Sequence, residues 1–413
     1  MATILAYTSP ALGHLLPICA LLTELHSRGH TVCLRTLATG VEIGRSLGFR
    51  VDAIDPRIEA IAQDDWMATN PVASLKLGVS VFTRRAVHEV TDLAEAVSEV
   101  RPDAMLVDVN CWGAQSAAEA GRVPWACFSP YTAPLRSPGV PPFGLGLRPL
   151  RGALGTVRDA AVQSVVIGGL ERVIMPSLNG IRADVGVTPV GSMDEFLRRA
   201  GLILIASGKP FQYPLTEWGD SVQMIGPCVL DPGAAVAPDW LVSIDRPIVL
   251  VTTSSEKQAD AALLIAAMAA LADDPVHVVA TLPAGPPDEA FTTPPNATVR
   301  GFVPHGVVLD RAVCAVTHGG MGATQKALAR GVPVCAVPFG RDQFEVARRV
   351  EAARCGTRLP AKKLTAARLR AKVHEAMGMA AGARRVAAGF AATGGVTRGA
   401  DLVEQRLLGL AER

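Results

Sequence analysis

The chain has 413 residues, of which 49% are apolar and 19% are charged, and its formal net charge is +2. A chain of this length usually divides into two domains, and this composition is that of a folded protein, not a disordered one. The small net charge and an aromatic content of 5% argue against nucleic acid or a charged membrane surface as the main partner.

The eight cysteines form no recognisable metal or disulfide pattern. None stands in a CxxC pair, and several lie in apolar runs such as TVCLRT, WACFSP and PVCAVP, where a free thiol behaves as a small apolar side chain. We therefore expect no zinc site and a reducing, cytoplasmic location. The first apolar stretch is interrupted by prolines and a histidine, so no signal peptide is expected. No apolar run approaches the ~18 residues that a membrane span needs, so none is expected.

The first half of the chain alternates short apolar runs with helical patterns. TILAYT predicts a strand, LLPICALLTELHSRG predicts a helix that ends at Gly29, and HTVCLRTL predicts a second strand. AMLVDV and VPWACFS predict further strands, with a helix over GAQSAAEAG between them. Buried strands that alternate with helices indicate a parallel sheet covered on both faces.

The same pattern restarts after IGPCVLDPGAAVAPDW, which has the composition of a linker. Strands are predicted for RPIVLVTTS, VHVVATLP, ATVRGFV, CAVTHGG and VPVCAVP, with helices over DAALLIAAMAALAD and Gly322–Arg330. We predict a first domain over residues 1–230, a linker over 231–240, a second domain over 241–392 and a terminal helix over 393–413. The terminal helix could pack back on the first domain or stay with the second. Two such domains would face each other across a cleft, with ligands beyond the carboxyl ends of the strands.

The stretch THGGMGATQKALARGVPVCAVPFGRDQ, residues Thr317–Gln343, contains a histidine and a glycine cluster between a strand and a helix. Glycines let the backbone approach a ligand, and a helix start offers unpaired N–H groups to a phosphate. A plain strand–helix turn could have the same composition.

Asp342 and Gln343 follow the next strand, at the same edge of the sheet. A carboxylate and an amide side by side can bind neighbouring hydroxyl groups. Alone, the pair would more often cap the helix QFEVARRVEAA. Phosphate at one turn and hydroxyls at the next together indicate a nucleotide-sugar.

This stretch resembles the donor-binding signature of the family 1 glycosyltransferases of the GT-B type, H-G-G-x-G-[ST]-x-x-E-A-L followed by G-x-P and D-Q. The resemblance extends in order along the chain, from GHLLP through the linker and the signature to the terminal helices, and is closest to the bacterial members that decorate secondary metabolites. It implies an α/β fold of GT-B architecture, with two Rossmann-like parallel-sheet domains. It also implies an inverting, metal-independent hexosyl transfer from a dTDP- or UDP-sugar to a hydroxyl of an apolar acceptor, without a further cofactor.

The resemblance places the donor in the second half of the chain. It implies that the diphosphate contacts His318, Gly319, Gly320, Ser254 and Ser255, with Gly322 and Thr324 beside them. The sugar hydroxyls would contact Asp342 and Gln343. The nucleotide base and the ribose would contact Phe302, Val303 and His305. Three positions depart from the family pattern. Ala323 occupies the position of a phosphate-binding Ser or Thr, Lys326 that of a ribose-binding Glu, and Val346 that of an Asn.

The stretch SPALGHLLPICAL places His14 after a strand, at the start of a helix. Its unperturbed pKa of ~6.5 suits proton transfer near neutral pH, although a helix-start histidine bonded to a loop is the simpler alternative. Asp108 ends the strand AMLVDV at the same sheet edge and could orient the imidazole, or instead cap the helix that follows. The resemblance implies that His14 is the general base and Asp108 its partner.

Two segments of the first half are candidates for the acceptor site. Pro130–Pro149 is too rich in proline for regular structure and indicates an adaptable wall or lid. Trp66–Ala86 is expected to supply a second wall. The acid pairs Asp64-Asp65 and Asp273-Asp274 are not the D-x-D of a metal-bound sugar nucleotide, so they give no argument for a metal.

Other functions stay open on the sequence alone. The chain could be a GT-B enzyme of another kind, such as a nucleotide-sugar epimerase or hydrolase, or a non-catalytic partner that stabilises an active transferase. The expected partners are a nucleotide-sugar and an apolar acceptor, without nucleic acid or stable membrane insertion, and with a homodimer as an option.

Overall fold

The structure, a computed structural model, describes residues 1–64, 71–231, 233, 236–255, 260–285 and 290–410. Some predictions fall outside these residues: Asp65 of the first acid pair, residues 66–70 of the second acceptor wall, and parts of the linker.

The first half forms a seven-stranded, parallel sheet within the described residues. Its strands are β1 (Thr3–Tyr7), β2 (Thr31–Thr36), β3 (Arg50–Ala53), β4 (Ala104–Asp108), β5 (Trp125–Ser129), β6 (Leu202–Ile205) and β7 (Val222–Met224). They lie in the order β3-β2-β1-β4-β5-β6-β7. The order reverses between β1 and β4, and this switch point opens a crevice at the carboxyl ends of the two strands.

The sheet contains the four predicted strands and three that the sequence pattern missed. The predicted runs form β1, β2, β4 and β5, and both β4 and β5 are buried along their whole length, as expected for parallel strands covered on both faces. The missed strands β3, β6 and β7 are only three or four residues long, too short to give a periodic signal.

Helices cover both faces of this sheet. They are α1 (Leu12–Ser27), α2 (Val41–Ser46), α3 (Pro56–Glu59), α4 (Pro71–Val100), α5 (Trp112–Ala120), α6 (Ala153–Val162), α7 (Gly168–Asp184) and α8 (Met193–Leu197), with a π-helical turn at Gln163–Ile167 and a 3₁₀ turn at Ala38–Gly40. Helix α1 begins three residues earlier than predicted, so Pro17 lies inside it and not in its first turn. The helix continues because Pro17 removes only the N–H that would meet the carbonyl of Gly13.

The second half repeats the arrangement with a six-stranded parallel sheet among the described residues. Its strands are β8 (Ile248–Thr252), β9 (His277–Thr281), β10 (Ala297–Arg300), β11 (Ala312–Thr317), β12 (Val334–Ala336) and β13 (Gly356–Arg358), in the order β10-β9-β8-β11-β12-β13. Its helices are α9 (Asp239–Val242), α10 (Ala261–Leu271), α11 (His305–Leu309), α12 (Met321–Ala329), α13 (Gln343–Ala352), α14 (Ala366–Met377), α15 (Ala380–Ala392) and α16 (Gly395–Arg406), with a 3₁₀ turn at Ala361–Lys363. The α/β fold predicted from the sequence is confirmed in both halves.

The last helix, α16, packs on the first half, which is the first of the two options. It contributes to the same apolar core as α1 with its residues Ala400, Leu402 and Val403. The guanidinium of Arg28 donates hydrogen bonds to Asp401 (2.8 Å) and Glu404 (2.7 Å) on this helix. The two halves are therefore joined twice, once by the linker and once by the return of the chain before α16.

By length and composition alone, one helical run among the described residues, Ala153–Asp184, is apolar enough to span a membrane, although none was expected. It comprises α6, the π-helical turn and α7. One side of it lines the cleft between the halves with residues that include Thr156, Gln163, Ile167 and Leu170. Because a single run of this kind is weak grounds for a membrane span, we interpret it as a wall of the cleft.

Candidate active site

A cleft of about 2770 Å³ separates the carboxyl ends of the two sheets and is lined by both halves of the chain. This is larger than the ~300–1,000 Å³ typical of a site for one small molecule. The cleft therefore has room for two substrates, one against each half.

On the side of the first half, His14 and Asp108 form a hydrogen-bonded pair. His14 is the third residue of α1 and Asp108 is the last residue of β4, so the switch point brings together residues 94 positions apart. The His14 Nδ1 atom lies 2.7 Å from Asp108 Oδ2, and the aspartate side chain is fully buried. A carboxylate can only accept, so this contact fixes the proton on Nδ1 and leaves the lone pair on Nε2.

Two further side chains surround this imidazole, and the sequence analysis missed both. Asn110 Nδ2 lies 3.3 Å from His14 Nε2, and its backbone N–H donates to Asp108 Oδ1 at 2.8 Å. The Tyr131 hydroxyl donates to Asn110 Oδ1 at 2.8 Å, and its ring meets the imidazole edge-on. Asn110 follows β4 and Tyr131 follows β5 by two residues each, so the rule that strand ends meet at one edge could have found them.

On the side of the second half, His318 and the glycine turn lead into α12. Gly319 has a φ of +85°, which a residue with a side chain rarely adopts. A Cβ atom on Gly320 would lie 2.2 Å from His318 Nε2, so the imidazole can fold over the helix start only because residue 320 is glycine. Gly320 caps α12 without a side-chain hydrogen bond, and a helix start of this kind binds anions through its N–H groups.

The serine loop lies beside this turn and brings in another aspartate that the sequence analysis missed. Ser254 is buried, Ser255 is exposed, and both line the cleft. The backbone N–H of Ser254 donates to Asp260 Oδ2 at 2.6 Å, and the same oxygen lies 4.0 Å from His318 Nδ1. Burial raises the pKa of the Asp260 carboxyl above its usual value.

Asp342 and Gln343 lie at the start of α13 and line the cleft, as the resemblance implies. Burial raises the pKa of Asp342, and the nearby charge of His14 acts in the opposite direction. The two halves therefore approach each other at this point. The Gln343 oxygen accepts hydrogen bonds from the backbone N–H groups of Phe339 (2.8 Å) and Gly340 (3.0 Å), so part of this amide holds its own turn.

The pocket expected for the nucleotide base combines an exposed aromatic ring with a partly buried polar group. Phe302 is 62% exposed on the rim of the cleft, whereas Val303 is buried beneath it. His305 Nε2 lies 3.0 Å from Thr281 Oγ1. Burial, together with the charge of Lys326, lowers the pKa of His305 to about 4, so its imidazole is neutral at physiological pH.

Lys326, one of the departures from the signature, is paired with the linker. Its ammonium lies 2.5 Å from Asp231 Oδ1, while Asp231 Oδ2 accepts the backbone N–H of Gly306 at 2.9 Å. Burial would raise the pKa of Asp231, but the Lys326 charge holds it below its usual value. The linker is thereby attached to the second half beside His305.

Thr324 and Gly319 are not among the described residues that line the cleft. The Thr324 side chain is fully buried, and its Oγ1 has no hydrogen-bond partner among the described residues. On α12 it shares the inward face with Met321, Gln325 and Leu328. Helical spacing therefore turns this hydroxyl toward the core and away from a nucleotide-sugar in the cleft. No cluster of three or more potential metal ligands occurs in the described part of the chain.

Hydrogen bonds to a buried carboxylate join the proline-rich segment to α13. Glu345 Oε1 accepts the backbone N–H groups of Gly144 (3.0 Å) and Gly146 (2.7 Å), and its Oε2 lies 2.6 Å from Arg349. As predicted, residues 130–149 contain no helix or strand. The segment is nevertheless fixed to the helix that begins with Asp342.

Comparisons with known proteins agree with this arrangement. A family model described as "Erythromycin biosynthesis protein CIII-like, C-terminal domain" matches residues 263–398. The chain is 30% identical to 4'-demethylrebeccamycin synthase of Lentzea aerocolonigenes, over 98% of this chain and 99% of that protein.

Solved structures show the same fold. The calicheamicin glycosyltransferase CalG4 superimposes with a TM-score of 0.74 at 24% identity and covers 100% of both chains. The glycosyltransferase SsfS6 of Streptomyces sp. SF2575, complexed with thymidine diphosphate, gives a TM-score of 0.69 at 18% identity and covers 98% of this chain and 100% of its own. The similarity to the full-length relative and the shared fold show that this chain belongs to the bacterial natural-product glycosyltransferases of the GT-B type.

Proposed function

We propose that this glycosyltransferase moves a sugar from a dTDP- or UDP-sugar to a hydroxyl group of an apolar acceptor, with inversion at the sugar C1 and with His14 as the general base. The observation that carries the proposal is the hydrogen bond of 2.7 Å between His14 and the buried Asp108. The pair lies across the cleft from the start of α12, close enough to Asp342 for the charge of His14 to affect that carboxyl.

In this mechanism the acceptor oxygen gives its proton to His14 Nε2 and forms a bond to C1 of the sugar. The bond between C1 and the diphosphate oxygen breaks, and its electron pair leaves with the diphosphate. Asp108 stabilises the imidazolium that forms, as the aspartate of a catalytic triad does. His318, the backbone N–H groups at the glycine turn and the helix dipole of α12 stabilise the leaving diphosphate without a metal ion.

Several observations support the choice of substrates. One structural neighbour is complexed with thymidine diphosphate, and two relatives are named for demethylrebeccamycin and calicheamicin. The acceptor side of the cleft is bounded by the proline-rich segment and the apolar run Ala153–Asp184. We also expect a cytoplasmic enzyme, because the eight cysteines are free and buried.

The first test is calorimetric titration with dTDP and with UDP. A degenerate, non-catalytic partner would bind neither nucleotide and would give only the heat of dilution. The second is incubation with dTDP-glucose and UDP-glucose in excess EDTA, with and without a panel of polyketide and flavonoid acceptors. We expect a new glycoside whose anomeric configuration is opposite to that of the donor. A retained configuration, a requirement for Mg²⁺ or Mn²⁺, or a sugar nucleotide altered equally without acceptor would each contradict the proposal.

A further inference from the structure

The described environment of His14 Nε2 contains an amide that the proposed mechanism does not use. The Asn110 Nδ2 atom lies 3.3 Å from this ring nitrogen. An amide nitrogen can only donate, and Nε2 carries the lone pair because Nδ1 donates to Asp108. Asn110 therefore directs an N–H group at the atom that has to receive the proton of the acceptor.

The amide is fixed in this orientation from both ends. The backbone N–H of Asn110 donates to Asp108 Oδ1 at 2.8 Å, and Asn110 Oδ1 accepts the Tyr131 hydroxyl at 2.8 Å. Burial, helped by the charges of Asp342 and Asp108, raises the pKa of the Tyr131 phenol well above its ordinary value, so the hydroxyl keeps its proton. Because Nε2 accepts, the NH₂ group of Asn110 faces the imidazole, and the amide oxygen is left to accept the hydrogen bond of the Tyr131 hydroxyl.

Both ends of this chain of hydrogen bonds reach the cleft. Asn110, Tyr131 and His14 all line it. A general base must lie within ~2.6–3.2 Å of the oxygen whose proton it takes, and the place at that distance from Nε2 is next to Asn110 Nδ2. The two nitrogens are 3.3 Å apart, so a hydroxyl oxygen within reach of both lies beside the line that joins them. Its proton points toward Nε2 and a lone pair toward the amide, whose N–H turns from Nε2 to the oxygen when the acceptor binds.

We propose that Asn110 is a catalytic residue that holds the acceptor oxygen at His14, donating an N–H from Nδ2 to that oxygen while Nε2 takes its proton. The inference rests on the proposed role of His14. Negative charge grows on the oxygen as the proton leaves and before the bond to the sugar C1 is complete, and an N–H donor at that oxygen stabilises this charge. Tyr131 is a positioning residue that acts through Asn110.

The main test compares Asn110→Asp and Asn110→Ala with the wild-type enzyme. Turnover is measured with dTDP-glucose and two acceptor probes, 4-nitrophenol and benzyl alcohol, and also as hydrolysis of the donor, in which water replaces the acceptor. Loss of one donor to a developing oxyanion typically costs ~10²–10³ in turnover, and we expect a loss on the order of 10²-fold for benzyl alcohol. The loss should be smaller for 4-nitrophenol, whose oxygen is already acidic. The affinity for dTDP should not change.

The pH profile distinguishes this role from a purely structural one. Asn110→Asp replaces a donor by a carboxylate beside Nε2, which favours the protonated imidazole and raises the pKa of His14. The acid limb of kcat/KM should therefore move clearly to higher pH in Asn110→Asp, and by less in Asn110→Ala, which loses only the N–H donor that favours the neutral imidazole. Asn179→Asp is the matched control, because Asn179 holds the backbone of Val190 outside the cleft-lining residues. That control should leave the pH profile unchanged.

Tyr131→Phe tests the positioning role. It removes only the hydroxyl that orients the amide, so we expect a loss on the order of tenfold, smaller than that of Asn110→Ala. In the double variant the loss should equal that of Asn110→Ala alone, since two residues that act as one unit are not additive.

Each result separates this inference from the function on which it rests. If the wild-type enzyme neither transfers nor hydrolyses, the proposed function fails and the role of Asn110 fails with it. If the wild type is active and the Asn110 variants keep its turnover and pH profile, only the role of Asn110 is overturned. A variant faster than wild type would also overturn it, because Asn110 would then be shielding the base and not assisting it.

Discussion

Each half of the cleft places a histidine beside a buried aspartate at the start of a helix, but the two pairs are joined differently. His14 Nδ1 lies 2.7 Å from Asp108, whereas His318 Nδ1 lies 4.0 Å from Asp260. The first distance is a hydrogen bond, and the second is too long for one. A general base needs one ring nitrogen kept unprotonated and aimed at its substrate, so its tautomer must be fixed. A histidine that contacts a diphosphate only has to present an N–H group as a hydrogen-bond donor.

The surroundings of the two histidines follow the same division. Around His14, the side chains of Asp108, Asn110 and Tyr131 are linked by hydrogen bonds before any substrate is present. Around His318 the main groups suited to a ligand are backbone N–H groups at a glycine turn. The side of the cleft that carries His14, here called the base side, is therefore organised by side chains. The side that carries His318, here called the donor side, is organised by the backbone of a helix start.

The largest expected effect breaks the tighter pair. His14→Ala removes the proposed base, and general-base catalysis typically contributes ~10²–10⁴ in rate, so turnover should fall by about that factor. Asp108→Asn should cost less, because it keeps the shape but loses the charge that favours the imidazolium. The double variant should be no slower than His14→Ala. Turnover of the three variants is the measurement, with His26→Ala on the same helix as the control. Losses that simply multiply, or a silent Asp108→Asn, would show that Asp108 only caps the turn before α5.

The next prediction breaks one of the contacts between the two halves. Glu345 and Arg349 are each only 4% exposed, and Arg349 also donates to Gln212 on the first half at 2.9 Å. Glu345→Ala leaves this guanidinium buried without its carboxylate, which typically costs about 3–5 kcal/mol. It also leaves two backbone N–H groups of the proline-rich segment without their acceptor. We expect a loss of that size in the free energy of unfolding, measured by denaturant titration.

The matched control for Glu345→Ala is the double variant Glu345→Met and Arg349→Met. It removes both charges, and replacing a buried ion pair by apolar side chains is often close to neutral. The double variant should therefore be more stable than Glu345→Ala alone. If the two are equally unstable, the loss comes from the backbone N–H groups left without their acceptor and not from the unpaired Arg349 guanidinium.

His318→Ala tests the looser pair, and its effect should appear in binding. A hydrogen bond to a charged group is worth ~1.5–3 kcal/mol, so the affinity for dTDP or UDP should fall by about 10- to 100-fold. The fold should stay intact. Calorimetry gives the affinity, and His374→Ala provides a control on the surface of the same half, where the histidine pairs with Asp274 at 2.7 Å. Unchanged nucleotide affinity would mean that the backbone turn holds the diphosphate without this imidazole.

The difference between the two sides also explains what the sequence could predict. The expected donor side is encoded in one continuous stretch, so His318, Gly320, Gly322 and Asp342 lie at the cleft as predicted, although Gly319 does not line it. The direction of a side chain was harder to predict, because it depends on helix phase. Met321 and Leu328 on α12 are three residues before and four residues after Thr324, and this apolar spacing already indicated that Thr324 faces inward.

The base side depends on contacts between distant residues. His14 was found because it follows a strand and because GHLLP resembles the family, and Asp108 because it ends a strand at the same sheet edge. Asn110 and Tyr131 obey the same rule, yet each also fits an ordinary loop, and the sequence gives no direct sign of their hydrogen bond. The contact between Glu345 and the backbone of Gly144 could not be predicted at all, because the proline-rich segment has no periodicity from which to infer a register.

The smallest effect is expected at Lys326, and it tests how far the donor side tolerates a departure from the signature. The Lys326 ammonium is already paired with Asp231. Lys326→Met keeps the length of the side chain and removes the charge, so we expect nucleotide affinity to change by no more than about threefold, the effect of a partly exposed ion pair. Lys326→Glu should be worse, because it sets two carboxylates side by side at the linker.

Lys326→Met has a second expected consequence, which can be measured without nucleotide. Burial is the main reason why the pKa of His305 is lowered to about 4, and the positive charge of Lys326 lowers it further. Removing that charge should raise the pKa of His305, but not to its ordinary value, because the burial remains. The imidazole can be titrated by NMR in the wild type, in Lys326→Met and in Lys362→Met, a control that removes an exposed cleft lysine. A fall in nucleotide affinity of tenfold or more, with the His305 titration unmoved, would show that Lys326 acts on the donor and not through the linker. The donor side would then depend on a side chain as much as the base side does.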